Sequence, residues 1–474
     1  MLEGVDFEST FAPTAQPSSV RLLAAIAAQN RLILKTADVE TAFLSSEMDM
    51  EVYITTPEGY ETWAKHGEQG LKDLPFDYLP PDNGGPEPHG FRRLLKGVPG
   101  IKQGSRLFYQ KANNALISMN YIRHPADPCI YYRYETNHFS ILALWVDDII
   151  GAFGSDAEWE YFLGCLSTTF TITDGGNISD FLGMEFKQSC NRTIVTICQR
   201  NSVDDLLHRA SMEACNPAPT PCVAGFVFTK ADCPEVVQPR PLSMPNYRGL
   251  LALALFISVW TRVDIVFTVN KLCKFMGNPG EKHVNALKRL CRYLSGTRNC
   301  GLVYKLDASI SARGLHGYTD SSHMDCIDTS RSTIAFVFYF GSAVISWYSK
   351  LHSFVTTCVN HSEYAAMFNG SKEAFYLAKW LSPLENFLLT QTRPVTIFND
   401  NNGANSLAFD PVGRFKNKHV RMEHHYVQEL VVQGEILPKH VPSLENTSDL
   451  LTKPLGPTEF PLVAARVTGD TGLY

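Results

Sequence analysis

Asp147 and Asp148 stand side by side inside an apolar stretch, Ile141-Leu-Ala-Leu-Trp-Val-Asp-Asp-Ile-Ile150. Burying two like charges together is costly unless a cation neutralises them. The apolar runs on both sides read as a hairpin of buried strands with the carboxylates at its turn. Alone, such a pair is equally well an exposed Asp-Asp turn. A third carboxylate, Asp38 in Leu34-Lys-Thr-Ala-Asp-Val-Glu-Thr-Ala-Phe43, also closes an apolar strand-like run. Three carboxylates from two strand contexts suit a pair of divalent cations, which stabilise the attacking and leaving oxygens of a phosphoryl transfer from about 3.5–4 Å apart. The chemistry this set implies is nucleotidyl transfer.

A second set of spaced acids lies in the C-terminal region. Asp320 follows Gly317-Tyr-Thr at the end of an expected strand, and Glu363 stands in His361-Ser-Glu-Tyr-Ala-Ala-Met367 at the head of a helical pattern. Asp400 closes the strand-like Val395-Thr-Ile-Phe-Asn-Asp400. Asp449 lies in Asn446-Thr-Ser-Asp-Leu-Leu451, where Asn446 or Thr447 is placed to cap a final helix. Singly, each acid reads as a solvated or capping residue. Their order, strand Asp, helix Glu, strand Asp, late helix Asp, can gather four carboxylates around two Mg²⁺ ions for phosphodiester hydrolysis.

The elements that must position these acids fit a multidomain α/β and α+β protein. A chain of 474 residues holds about two to four domains of ordinary size. Its 45% hydrophobic content marks a globular protein. The longest apolar run, Leu250–Trp260, is too short to span a bilayer and reads as a core helix. No signal sequence opens the chain. Twelve cysteines without a Cys-x-x-Cys pair read as free thiols of an intracellular protein, cytoplasmic or nuclear. Net charge is −6, yet residues 1–90 alone carry −10, which leaves the remainder at +4. That distribution neither requires nor excludes a nucleic-acid partner. The expected elements begin with a helix over 19–29 capped by Ser18 or Ser19, a strand with Asp38, and a hairpin signal leading into Val52–Thr55. A Pro/Gly-rich loop over 74–90, a helix over 106–119 and strands around the Asp-Asp turn follow. A proline-rich zone from 215 to 245 precedes a helical stretch from 246 to 297, and from Gly301 strands and then helices indicate a second α/β domain.

Ordered segments along nearly the whole chain carry a resemblance. They include Glu8-Ser-Thr-Phe-Ala-Pro13, Asp38-Val-Glu-Thr-Ala-Phe-Leu44, Pro57-Glu-Gly-Tyr60, Ile101-Lys-Gln-Gly104, Ala126-Asp-Pro-Cys129 and Val146-Asp-Asp148. Further on come Phe181-Leu-Gly-Met-Glu185, Thr261-Arg-Val-Asp-Ile265, Ile345-Ser-Trp347, Lys418-His-Val420 and Leu451-Thr-Lys453. The chain resembles the reverse transcriptase and RNase H portion of a copia-type retrotransposon Pol polyprotein. Departures include Trp145 where the family has Tyr, Val263 where it has Pro, and Cys358-Val-Asn-His-Ser362 before Glu363. None removes an acid of either set.

The resemblance implies a right-hand polymerase with palm and partial fingers, a helical thumb or connection, and an RNase H-like α/β domain. Its expected limits are 1–225 for the reverse transcriptase, 226–310 for the thumb or connection, and 311–474 for the RNase H-like domain. It implies that Asp38, Asp147 and Asp148 hold two Mg²⁺ or Mn²⁺ ions, with the Val39 carbonyl an extra ligand. Phe43 would be the steric gate against a ribose 2′-hydroxyl, and Gln103 would lie near the incoming nucleotide. Asp320, Glu363, Asp400 and Asp449 would hold two further ions and cleave the RNA strand of an RNA–DNA hybrid. The implied partners are an RNA template, a DNA primer, that hybrid and deoxynucleoside triphosphates, with no membrane. In the family a basic fingers segment precedes the residues seen here, so N-terminal truncation is a further expectation. The competing reading is a degenerate element fragment that retains only nucleic-acid binding or hybrid cleavage.

Overall fold

The computed structural model describes residues 9–55, 76–78, 91–135, 138–235, 244, 246–306, 314–388, 392–409 and 418–470. Glu8, the Pro57–Tyr60 segment, most of the 74–90 loop, and Pro239, Pro241 and Pro245 lie outside them. The architecture is mixed α/β, and the chain divides into two compact units. One comprises Met1–Ala15 and Lys35–Asn177, the other Gln16–Leu34 and Ile178–Tyr474. No helix among the described residues is long and apolar enough to cross a membrane.

In the first unit, strand β1 (Ile33–Val39) leads through a 3₁₀ turn, Ala42–Ser45, to β2 (Tyr53–Thr55), β3 (Phe76–Tyr78) and β4 (Phe91–Leu94). β2 and β3 flank β4 in a small three-stranded sheet, so the expected hairpin at 45–55 is corrected: β2 pairs with β4, about forty residues on. After helix Gly104–Ser118 come β5 (Ile122–Arg123), β6 (Ile130–Glu135), β7 (His138–Trp145) and β8 (Asp148–Phe153). Helix Asp156–Leu166 and β9 (Ile172–Asn177) complete the unit, and its main sheet runs β5-β6-β7-β8-β1-β9. Ala37, Val39, Leu142, Leu144, Ile149 and Phe153 pack against Phe108, Leu116, Trp159 and Phe162 of the two helices. Side chains alternate along a strand. Burying Ala37, Val39 and Ile149 under the helices therefore sends Asp38 and Asp148 to the opposite face.

In the second unit, helix Pro17–Asn30 is buried at every position from Ser18 to Ala28, and the one charge in that span, Arg21, donates to the carbonyls of Ile345 and Val259. It starts two residues before the expected span: Pro17 occupies its first turn and Gln16 its cap position, so neither Ser18 nor Ser19 is the cap. β10 (Asp180–Phe181), β11 (Met184–Gln188), β12 (Ile194–Cys198) and β13 (Gly301–Lys305) form an antiparallel sheet. Between β12 and β13 lie helices Arg200–Arg209, Tyr247–Trp260, Val266–Cys273 and Glu281–Gly296. A five-stranded sheet follows, built from β14 (Leu315–Cys326), β15 (Arg331–Phe340), β16 (Val344–Leu351), β17 (Val395–Asn399) and β18 (Ile436–His440). Its order is β16-β15-β14-β17-β18; the first three strands are antiparallel, and β17 and β18 run parallel to β14. Helix Val359–Leu381 crosses between β16 and β17 and packs on β14 and β15. The expected final helix at Asp449 is instead a 3₁₀ turn, Thr447–Leu451, and the last helix is Glu459–Thr468. All twelve cysteines are free.

The helical part of this unit is pinned by a buried ion pair in the Thr261-Arg-Val-Asp264 turn. Arg262 donates to Asp264 at 2.7 and 2.9 Å, its Nη1 donates to the Thr297 carbonyl at 2.8 Å, and the Tyr293 hydroxyl donates to Asp264 at 2.5 Å. Burial alone would raise the Asp264 pKa; Arg262 and Tyr293 hold it below the ordinary value. Removing one partner strands a buried charge. Arg262→Met should lower the stability of the chain by about 3–5 kcal/mol in urea unfolding, and a second change, Asp264→Leu, should recover most of it. A single-mutant loss under about 1 kcal/mol would show that the pair does not hold the turn.

Candidate active sites

The first carboxylate set is assembled by a two-residue turn and its neighbour strand. Trp145 pairs with Asp148 across the β7–β8 hairpin, which leaves Val146 and Asp147 at the tip. Val146 takes φ 53°, a left-handed conformation that is strained for a β-branched residue. The Val39 N–H donates to the Asp147 carbonyl at 2.9 Å, which ties this turn to the strand carrying Asp38. β1 also changes register against β9 between Thr36 and Ala37, immediately before Asp38. Burial, then the charge of Asp147, raises the carboxyl pKa of both Asp38 and Asp148; Glu40 adds to the first effect and Asp38 to the second. The three acids therefore lie close enough to repel one another.

The two side chains expected near the nucleotide lie in the 3₁₀ turn and at the start of helix Gly104–Ser118. Phe43, half-buried in the 3₁₀ turn, packs on the helical core, and its ring comes so close to Gly104 that a Cβ there would lie 3.3 Å from Cδ1. Gln103 precedes helix Gly104–Ser118 and is fully buried. Val39 is buried in the strand.

The second set is tighter. Asp320, Glu363 and Asp400 each offer a ligand atom within 4.8 Å of the others, the one such group among the described residues. β14 delivers Asp320, and helix Val359–Leu381 delivers Glu363 from its second turn. That helix lies close on the sheet because residue 370 is glycine: a Cβ there would meet the Thr319 methyl at 2.6 Å. Asp400 directly follows β17, and Ser443 donates to it at 2.7 Å. Asn446 caps the 3₁₀ turn carrying Asp449 and donates to the Thr319 carbonyl at 3.1 Å, which brings that turn to β14. Glu363 accepts from Ser321 at 2.9 Å and from Asn399 at 3.0 Å. Thr452 donates to Asp320, and Lys453 lies 2.9 Å from Asp449 and 3.5 Å from Asp320.

Burial is the main cause that raises the pKa of Asp320, Glu363 and Asp449; Glu363 and Asp449 add repulsion at Asp320, which stands well above its ordinary value. For Glu363, hydrogen bonds from Asn399 and Ser321 partly offset burial, and its pKa is about 7. Clustered, desolvated oxygen donors of this kind fit a hard divalent cation such as Mg²⁺ or Mn²⁺. Ser321, Asn399, Ser443, Thr452 and Lys453 were not selected from the sequence as parts of the site. Thr452 and Lys453 carried a signal there, since Leu451-Thr-Lys453 is one of the segments of the resemblance.

With this geometry in place, the comparisons with known proteins agree on a family. The model of the reverse transcriptase (RNA-dependent DNA polymerase) family matches residues 1–69 and 80–224. The retrovirus-related Pol polyprotein from transposon TNT 1-94 of Nicotiana tabacum is 28% identical over 462 residues, covering 97% of this chain and 32% of that protein. The corresponding polyprotein from transposon RE1 of Arabidopsis thaliana is 29% identical over 464 residues, covering 98% of this chain and 29% of that one. A foamy viral protease–reverse transcriptase solved with double-stranded DNA superposes with a TM-score of 0.48 at 12% identity, over 91% of this chain and 60% of that chain. Residues 1–69 and 80–224 thus match the reverse transcriptase family, and nearly the whole chain is similar to Pol polyproteins of copia-type retrotransposons. It spans about a third of the length of these Pol relatives.

A raised folded-state pKa has a definite sign in stability. The unfolded glutamate titrates near 4.3, so the contribution of Glu363 is fully present below that pH and is lost as pH rises through about 7. In EDTA, Glu363→Gln should therefore melt a few degrees higher than the parent at pH 8, with the difference shrinking at pH 5. An equal or lower melting temperature at pH 8 would contradict the burial argument.

Proposed function

We propose that this chain is the RNA-directed DNA polymerase and RNase H portion of a copia-type Pol polyprotein, with one active site on each carboxylate set. The observation that carries this reading is the gathering of Asp320, Glu363 and Asp400 within 4.8 Å, beside Asp449, in a chain whose residues 1–69 and 80–224 match the reverse transcriptase family. Domain limits of 1–225, 226–310 and 311–474 go with it. The six-stranded sheet of β1 and β5–β9 with its two helices is then the palm, and the small sheet β2–β4 belongs to the fingers. Helices between 247 and 296 form the thumb or connection, and β14–β18 form an RNase H-like domain.

Asp38, Asp147 and Asp148, with the backbone of Val39, hold two Mg²⁺ or Mn²⁺ ions. Asp320, Glu363, Asp400 and Asp449 hold two more. When bound, such ions neutralise the acids and stabilise charge on the attacking and leaving oxygens. The chain's own part is to fix donors and substrate. The β7–β8 turn and β1 present three carboxylates on one face of the sheet, where a primer 3′-hydroxyl displaces pyrophosphate from a deoxynucleoside triphosphate. Phe43 presents a ring against the sugar and excludes the extra ribose oxygen. Gln103, buried just before helix Gly104–Ser118, lies near the incoming nucleotide. In the second site, Ser321, Asn399, Ser443 and Thr452 lock the carboxylate rotamers, while the RNA strand of a hybrid is cleaved. An intracellular setting is consistent with the twelve free thiols.

Purified chain should cleave RNA in an RNA–DNA hybrid with Mg²⁺ or Mn²⁺, and Asp320→Asn or Glu363→Gln should reduce the rate roughly a thousandfold, the scale of several kcal/mol. Asp148→Asn should abolish primer extension on an RNA template and leave hybrid cleavage intact. Hybrid that is bound but never cut with either metal would reduce the C-terminal region to a nucleic-acid-binding remnant. In primer extension by the parent, Phe43→Val should raise ribonucleotide use relative to deoxynucleotide by about 10–200-fold, the range for a small group accommodated in a pocket. An unchanged ratio would return Phe43 to the core.

A further inference from the structure

The Lys453 ammonium sits inside the C-terminal acid cluster. It stands 2.9 Å from Asp449 Oδ1 and 3.5 Å from Asp320 Oδ1, and its side chain is 40% exposed. Asp320 has only 1% of its side chain exposed, so a contact with it is a contact with the interior of the site. The backbone fixes this geometry. Asp449 and Lys453 are four residues apart across the 3₁₀ turn, and the Lys453 N–H donates to the Asp449 carbonyl at 2.9 Å. The neighbouring Thr452 hydroxyl is committed to the other oxygen of Asp320.

Two sides of the cluster therefore differ. On one side, Asp320, Glu363 and Asp400 bring oxygens within 4.8 Å of one another. On the other, Asp320 and Asp449 face each other with the ammonium between them. Four ionised carboxylates and one ammonium leave three negative charges. A first divalent ion reduces these to one, and a second would bring the site to a net positive charge in a buried setting, which desolvation opposes. We propose that Lys453 is the resident counter-cation of this site: in the substrate-free chain it occupies the Asp320–Asp449 side and limits the cluster to one tightly held divalent ion. A phosphodiester adds a negative charge, and the second ion is then held with the ammonium turned outward along its exposed stem. Lys453 is thus a positioning residue that couples occupancy of the site to the presence of nucleic acid. This inference rests on the reading of the C-terminal set as a metal site.

The test counts bound Mn²⁺ by electron paramagnetic resonance on the full chain, in an Asp147→Asn/Asp148→Asn background that silences the first set, without nucleic acid. The background protein should bind one ion tightly. Adding Lys453→Met should let a second ion bind, with at least tenfold higher affinity than any second ion in the background, while Lys453→Arg should behave as the background does. In EDTA, Lys453→Met should melt below the background protein, and saturating Mn²⁺ should raise its melting temperature by more. Unchanged or weaker Mn²⁺ binding in the folded Lys453→Met protein would overturn the role of the lysine. No tight ion in the background, with Asp320→Asn making no difference, would overturn the metal site itself and the inference with it.

Discussion

Repulsion among desolvated carboxylates is the constraint around which the C-terminal half of this chain is built. Asp320 and Glu363 are buried, and Asp400 and Asp449 are partly so, at separations where like charges in a poor solvent oppose folding. Several polar groups among the described residues answer that cost. Ser321 and Asn399 donate to Glu363, Ser443 to Asp400, Thr452 to Asp320, and Lys453 spans two acids. The pKa values of Asp320, Glu363 and Asp449 remain raised in spite of this, so these contacts offset only part of the cost. Sites that store unfavourable energy in this way trade stability for function.

The N-terminal set meets the same constraint by exposure. Asp38 and Asp147 are exposed and Asp148 is half-buried, so desolvation weighs less on this set than on the second, and backbone strain at Val146 is added to it. The scaffold that holds these acids is a sheet packed on one face by two helices. Alternation along β1 and β8 decides which side chains enter the core and which carry carboxylates to the other face. One residue of slip in either strand would exchange Asp38 with Val39 or Asp148 with Ile149, which is why burial of the apolar partners sets the site.

Much of this was legible in the sequence because strand periodicity and acid placement agree. The apolar runs around Asp147 and Asp148 are paired strands, Asp38 lies near the end of its strand, and the acids of the second set sit on strand, helix, strand end and late turn in the order expected. The helix over 17–30 was visible but its start was not, since Pro17 and buried serines compete with the usual cap signal. The pairing of β2 with β4 was hidden because it joins segments about forty residues apart, beyond any local turn chemistry. Lys453 illustrates a different limit. Its spacing from Asp449 is visible in the sequence, but its reach to Asp320 across 133 residues is a product of tertiary folding.

Anomalous scattering from crystals of the chain soaked in Mn²⁺ would test the central claim most directly, that both acid sets are divalent-cation sites. The account predicts an anomalous peak among Asp320, Glu363 and Asp400, and a second beside Asp38, Asp147 and Asp148. Absence of the first peak from well-ordered crystals at millimolar Mn²⁺, with the four carboxylates still gathered, would contradict it.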